Sequence, residues 1–225
     1  MSFSKKLTIK ILQKIITIIV ALFVIYIAGL ATGSGINILN IDTSSLDFER
    51  ILFIPGVSTS ASELNRWKRD LAFNFPEEEI IFLDEIFYFH WQDEKTEKIV
   101  EKGIKVLDDG KSTLIIAHSY GGILAKTIIN KSENENVVKL ITMASPHTME
   151  SFGIDDSKEF LNTPDEVTVP TYSFGGYIDP IVFFTKSDVE DSEHLDLWSN
   201  HNGFLSNKDI RRKVLFFALG LNYTE

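Results

Sequence analysis

The chain has 225 residues, is 44% hydrophobic and 12% aromatic, and carries no cysteine. That is enough apolar material for one well-buried core and not comfortably two. The missing thiols exclude a disulfide framework, a thiol nucleophile and thiolate metal sites. The formal net charge of −10 argues against a nucleic-acid partner, because no basic surface is left over to neutralise phosphates.

The amino terminus is unlike the rest. "MSFSKKLTIKILQK" holds Lys5, Lys6, Lys10 and Lys14 with no acid, and the uncharged run "IITIIVALFVIYIAGLA" follows from Ile15 to Ala31. As a helix that run spans about 25 Å, slightly short of a hydrocarbon core of about 30 Å. Leu7, Ile9, Ile11 and Leu12 lengthen it if Lys10 and Lys14 snorkel to the headgroups. The length and the β-branched content favour a retained transmembrane signal-anchor helix. The rival readings are a signal peptide cleaved after "AGLA" and a buried soluble helix. The positive-inside rule leaves the lysines in the cytoplasm and the remaining chain outside. Without its four lysines the charge falls from −10 to −14, so membrane attachment would rest on the helix and not on attraction to anionic lipid. The expected division is 1–31 for stub and anchor, 32–47 for a linker of small and polar residues, and 48–225 for one folded domain.

Within that domain "RILFIPG" reads as a buried parallel strand stopped by Pro55-Gly56. "SASELNRWKRDLAFNF" reads as a helix, with Ser60 or Ser62 as N-cap and Leu64, Trp67, Leu71 and Phe75 at helical spacing. "EIIFLD" is a second strand, and "DEKTEKIVEKGIKVLDDG" an amphipathic helix stopped at Gly110. "STLIIAH" is a third strand followed at once by the helix "GGILAKTIINKS". "NVVKLITMAS" and "VTVPTYSFGG" give strands four and five, and "NKDIRRKVLFFALGL" is a terminal helix. Alternating strands and helices predict a mainly parallel sheet with helices on both faces. Working residues in such sheets gather at the carboxyl ends of the strands. Here those ends are Gly56-Val57, Ser119, Ser145-Pro146-His147 and the region after Phe174.

Ser119 sits at the seam of strand three and the helix behind it, in Ala117-His118-Ser119-Tyr120-Gly121. A serine attacks only when its hydroxyl is openly presented and a base removes its proton. The G-x-S-x-G turn does the presenting, with small residues where backbones crowd; Ala117 replaces the first glycine and is still small. An oxyanion site needs one amide just after the nucleophile, Tyr120, and a second from the loop after an earlier strand. "FIPGVSTS" fits that loop, with Val57 as donor; an ordinary Pro-Gly turn is the alternative.

The acid and base should follow in the order Ser, Asp, His. Asp179, in "SFGGYIDPIV", lies just beyond strand five. Asp165 precedes that strand, while Asp188 and Asp191 belong to the acidic run "KSDVEDSEHLD", read as solvated. Among histidines, His90 and His147 come in the wrong order, His147 reading as a pocket wall. His118 neighbours the nucleophile, but adjacent side chains at a strand end point apart. His194 sits among acids and reads as solvated. His201, in the loop before the terminal helix, is the expected base.

The blocks "ILFIPG", "IIFLDEI", "TLIIAHSYGGILAKTII", "VVKLITMASPH" and "SFGGYIDPIV" together resemble α/β-hydrolase lipases and esterases, the GPI inositol-deacylase-like branch above all. The similarity runs from about Glu49 to Leu221. It implies the α/β-hydrolase fold and a serine esterase with Ser119, Asp179 and His201 as triad, Val57 and Tyr120 as oxyanion donors, and no metal or cofactor. Pro55 stands where many relatives carry a histidine, as it does in the deacylase branch. The segment 147–166 is long enough for a small lid, with Met149, Phe152 and Ile154 lining an acyl pocket; a plain surface excursion is the equal alternative. A tether and an apolar mouth point to a lipid or lipid-like ester. The same residues would also serve a thioesterase, an amidase or peptidase, or a transacylase. Outside enzymes the alternatives are a catalytically silent, membrane-anchored binding module, which no missing triad member favours, and an anchor whose domain is only a partner-docking surface, which the intact elbow argues against.

Overall fold

A computed structural model gives the fold and describes residues 46–57, 59–75, 78–83, 93–132, 135–147, 167–182, 187, 189 and 191–220. The expected anchor (1–31), most of the expected linker, His90, Asp165, Asp188 and the lid segment beyond His147 lie outside them. Among the described residues no helix is long and apolar enough to cross a membrane.

Strand β1 (Arg50–Ile54) leads through the Pro55-Gly56 loop to helix α1 (Ala61–Asn74), and β2 (Glu79–Phe82) precedes helix α2 (Asp93–Leu107). Strand β3 (Thr113–His118) turns directly into α3 (Tyr120–Ser132), and β4 (Val137–Met143), β5 (Thr171–Gly176) and β6 (Glu193–Leu197) complete the sheet. The short helix α4 (Gly203–Ser206) and α5 (Lys208–Ala218) follow. The strand order is β2-β1-β3-β4-β5-β6, and every pairing in it is parallel. The chain therefore winds one way from β1 to β2 and the other way from β3 onward. The reversal opens a crevice between the carboxyl ends of β1 and β3, where Gly56 and Ser119 sit.

Side chains alternate across the strands. Ile51, Phe53, Leu114, Ile116, Ile141 and Phe174 face one way, onto Leu64, Trp67 and Leu71 of α1 and Val214 and Leu215 of α5. Leu52, Ile54, Ile115, Ala117 and Leu140 face the other way, onto Ile99 and Leu107 of α2 and Ile123, Leu124 and Ile128 of α3. Burial on both faces explains why β1 and β3 read as unbroken apolar runs. Helix α1 opens with a capping box: Ser60 Oγ accepts from the Glu63 amide, and the Glu63 carboxylate accepts from the Ser60 amide. Of the two expected caps, Ser60 is the one used.

Three features differ from the sequence reading. Strand β5 starts at Thr171, because Pro170 brings no N–H to a ladder. The acidic run is not simply solvated: Glu193–Leu197 forms an edge strand, in register with Tyr172–Gly176. Only Leu197 of its five residues is buried, so apolar alternation could not announce it. His194 lies on this strand with Ser173 Oγ 2.8 Å from its Nδ1 and Asp196 Oδ1 3.2 Å from its Nε2. Lastly, the short helix α4 occupies what read as plain loop before the terminal helix; that helix, α5, begins where expected, with the Asn207 side chain accepting from the Asp209 and Ile210 amides as its N-cap.

Helix α1 ties down the carboxyl-terminal segment. Fully buried Trp67 donates from its indole to the Phe204 carbonyl at 3.2 Å. Arg211 donates from Nε to Asp70 Oδ2 at 2.7 Å and from Nη1 to the Leu205 carbonyl at 3.0 Å. The loop between β6 and α4 is thereby held against the core on its far side.

Candidate active site

The site begins with a strained turn. Ser119 has φ of 54°, the left-handed region that costs an L-residue about 1–2 kcal/mol. The Ser119 amide donates to the Met143 carbonyl at 2.9 Å, and its own carbonyl accepts from the Gly122 amide at 2.9 Å. The turn is thus fastened to β4 on one side and to α3 on the other, with the hydroxyl left at the carboxyl end of β3. Two glycines let neighbouring backbone approach. A Cβ on Gly121 would run into the Ile54 carbonyl oxygen, and one on Gly56 would meet the Ser119 Cβ at 2.5 Å.

His201 Nε2 lies 2.8 Å from Ser119 Oγ, and His201 Nδ1 lies 2.9 Å from Asp179 Oδ2. The structure brings the three sequence-selected residues into one chain of hydrogen bonds. Asp179 is fully buried. Its second oxygen, Oδ1, accepts from the Ile181 and Val182 amides at 2.8 and 3.1 Å, which leaves Oδ2 for the imidazole. Because a carboxylate only accepts, Nδ1 carries the proton and Nε2 presents a lone pair to the serine hydroxyl. The loops after β5 and β6 that supply Asp179 and His201 are pinned together: the Tyr177 amide donates to the Leu197 carbonyl at 3.0 Å and the Ile178 amide to the Ser199 carbonyl at 3.3 Å.

The residues singled out as oxyanion donors flank the serine. Tyr120 opens α3 directly behind Ser119, at the end where the helix dipole favours negative charge. Val57 follows Gly56 in the β1 loop, which Thr59 steadies by donating to the Gly56 carbonyl at 3.0 Å.

The rival candidates among the described residues are His118, His147, His194 and Asp191. His147 is buried against Thr142, Nε2 to Oγ1 at 3.2 Å, and burial pushes its pKa down to about 3. Asp191 occupies a turn with φ of 59°. His118, set aside on strand alternation, lies in contact with His201: the two ring centroids are 4.9 Å apart. Alternation gives the side of a strand and says nothing about which distant loop crosses it. Among the described residues no group of three or more His, Asp or Glu side chains is placed to hold a metal ion.

A parallel sheet that reverses at β1/β3, a serine on a left-handed strand-to-helix turn, and an acid and histidine from the last two strand ends together define the α/β-hydrolase fold, and the chain has it. A family model for the PGAP1-like alpha/beta domain matches residues 87–173, in keeping with the deacylase-like resemblance of the sequence. Among solved structures, a yden-like hydrolase from Pectobacterium atrosepticum superposes with a TM-score of 0.54 at 20% identity, covering 77% of this chain and 92% of that one. An esterase from Pyrobaculum calidifontis gives 0.57 at 12%, covering 77% and 75%. The type II thioesterase BorB from the borrelidin biosynthetic cluster gives 0.50 at 13%, covering 76% and 91%. Similarity at these identities is similarity of fold. No curated protein matches the chain in sequence.

Proposed function

We propose that this protein is a serine hydrolase that cleaves carboxylic esters through an acyl-enzyme on Ser119. The observation that carries the reading is the continuous Ser119–His201–Asp179 hydrogen-bond chain, at 2.8 and 2.9 Å, on a turn with positive φ. In the proposed cycle His201 takes the Ser119 proton as Oγ attacks the ester carbonyl. The Tyr120 and Val57 amides receive the oxyanion, and Asp179 stabilises the imidazolium. His201 returns the proton to the departing alcohol. Water, deprotonated by the same imidazole, then releases the acid and regenerates the serine. No metal or cofactor takes part.

The substrate we infer is lipid or lipid-like. Tyr177, Ile178, Ile181 and Trp198, the last 75% exposed, stand on the two loops that carry Asp179 and His201. Large apolar side chains left in water beside a polar site favour a substrate with an apolar part. The basic stub and the apolar run Ile15–Ala31 support a single-pass anchor with a cytoplasmic amino terminus and the hydrolase domain, from about residue 48, outside. Thioesters are the second substrate class, since the same tetrahedral intermediate forms and one structurally similar protein is a thioesterase.

The test is fluorophosphonate labelling of the full chain beside its Ser119→Ala variant, followed by ester and thioester substrates of increasing acyl length. Labelling lost only in the variant is expected. A folded wild-type protein that takes no label would refute the enzyme reading and favour a binding module. Alkaline extraction of membranes and protease accessibility from each side test the anchor and its orientation.

A further inference from the structure

We propose that His118 is a positioning residue for His201, holding the loop that carries the imidazole by a hydrogen bond from its own ring to the His201 main chain. The inference rests on the reading of His201 as the base. His118 Nε2 lies 3.0 Å from the His201 carbonyl oxygen. A carbonyl only accepts, so Nε2 carries the proton and Nδ1 is bare. Nδ1 is buried without a partner, which fits a neutral ring, as does burial lowering its pKa to about 3.

The local backbone shows why such a tie is needed. Around His201 the Gly203 amide donates to the Asn200 carbonyl, and the Leu205 and Ser206 amides donate to the Asn202 carbonyl. These bonds close the turn on either side of the His201 carbonyl, and the donor that meets it comes from β3, 83 residues away. His118 precedes Ser119 in the chain. One short stretch thus sets both ends of the Nε2–Oγ contact: the hydroxyl through the turn at 119, and the imidazole through the ring at 118. A neutral donor is the right kind of group for the place, because a cation there would oppose the charge that His201 must take up. Misplacement of a catalytic group by about 1 Å can cost on the order of 100-fold in rate.

The test compares the full chain carrying His118→Gln with the chain carrying His118→Leu. The glutamine amide nitrogen reaches about as far from Cβ as imidazole Nε2 and still donates. Leucine fills space and donates nothing. In His118→Leu, kcat is expected to fall about 30-fold with KM changed less than about twofold, and His118→Gln to recover to within about threefold of wild type. The proton NMR resonance of His201 Nδ1–H, shared with Asp179, should stay in place in His118→Gln and move or broaden in His118→Leu. That signal needs no substrate. If the wild-type protein hydrolysed nothing, the esterase reading would fail while the spectra still decided the positioning role. Wild-type kcat and spectrum in His118→Leu would overturn the inference. So would a His118→Gln variant as impaired as His118→Leu at unchanged helix content, which would make His118 packing only. Should His118→Leu not fold, His118→Asn replaces it: its amide is one bond too short to reach, so it is expected to be slow, and equality with His118→Gln would overturn the inference.

Discussion

A Cβ on residue 56 would stand 2.5 Å from the Cβ of Ser119 and 2.9 Å from the His118 carbonyl oxygen. Only glycine lets the loop after β1 run this close to the serine turn, and that closeness is what would bring the Val57 amide to an oxyanion. Gly56→Ala is therefore expected to push the loop outward. We expect kcat to fall about 100-fold or more, since loss of one oxyanion donor alone costs about that much, together with a stability loss of about 1–3 kcal/mol. Steady-state kinetics beside urea denaturation checks both, and wild-type kcat in the variant would remove Val57 from the proposed mechanism.

Asp179→Asn keeps the shape of the buried side chain and can still accept from the Ile181 and Val182 amides. Its NH2 group would then face His201 Nδ1 and force the proton onto Nε2, where it cannot accept from Ser119. A fall in kcat of about 10⁴-fold is expected, with little change in KM. A fall of less than about tenfold would mean that a different acid serves His201.

The strain at Ser119 separates stability from activity. Ser119→Ala and Ser119→Gly both remove the hydroxyl, but only glycine accepts φ of 54° without penalty. The glycine variant is expected to be more stable than the alanine variant by about 1 kcal/mol, read from denaturation midpoints, while both lose fluorophosphonate labelling. Equal midpoints would mean that the turn relaxes once the hydroxyl is gone.

Stability should fall as the solution is acidified, through two buried histidines. His118 and His147 have pKa values pushed by burial to about 3 from an ordinary 6.5. Between those limits the unfolded chain binds more protons than the folded one. Stability is therefore fully present above about pH 6.5 and is lost as pH falls toward 3, by up to about 1.4 kcal/mol per pH unit for each histidine. Denaturation midpoints at pH 7.5, 6 and 5 read the slope, and His147→Gln should make it shallower. A flat profile over that range would show that both rings take up protons in the folded state.

β1, α1, β3 and α3 were legible because burial leaves its mark in the chain: apolar runs where all sides are covered, as in β1, β3 and most of α3, and apolar residues at helical spacing in α1. Edge strand β6 left no such mark. Glu193, His194 and Asp196 are not buried, and the strand exists because β5 offers it a ladder. The acidic residues that read as a solvated run are those of an edge facing water.

The sequence by itself determined the seam at Ala117–Gly121 and the order in which a serine, an acid and a histidine follow along the chain, because a strand-to-helix turn is a local structure. Only the tertiary structure decided which histidine meets Ser119, and how. That contact joins residues 82 positions apart, and the His118 bond to the same loop spans 83. In a parallel sheet neighbouring strands are separated by whole crossovers, so the partners at their carboxyl ends are chosen by strand order and loop path, which no local spacing records.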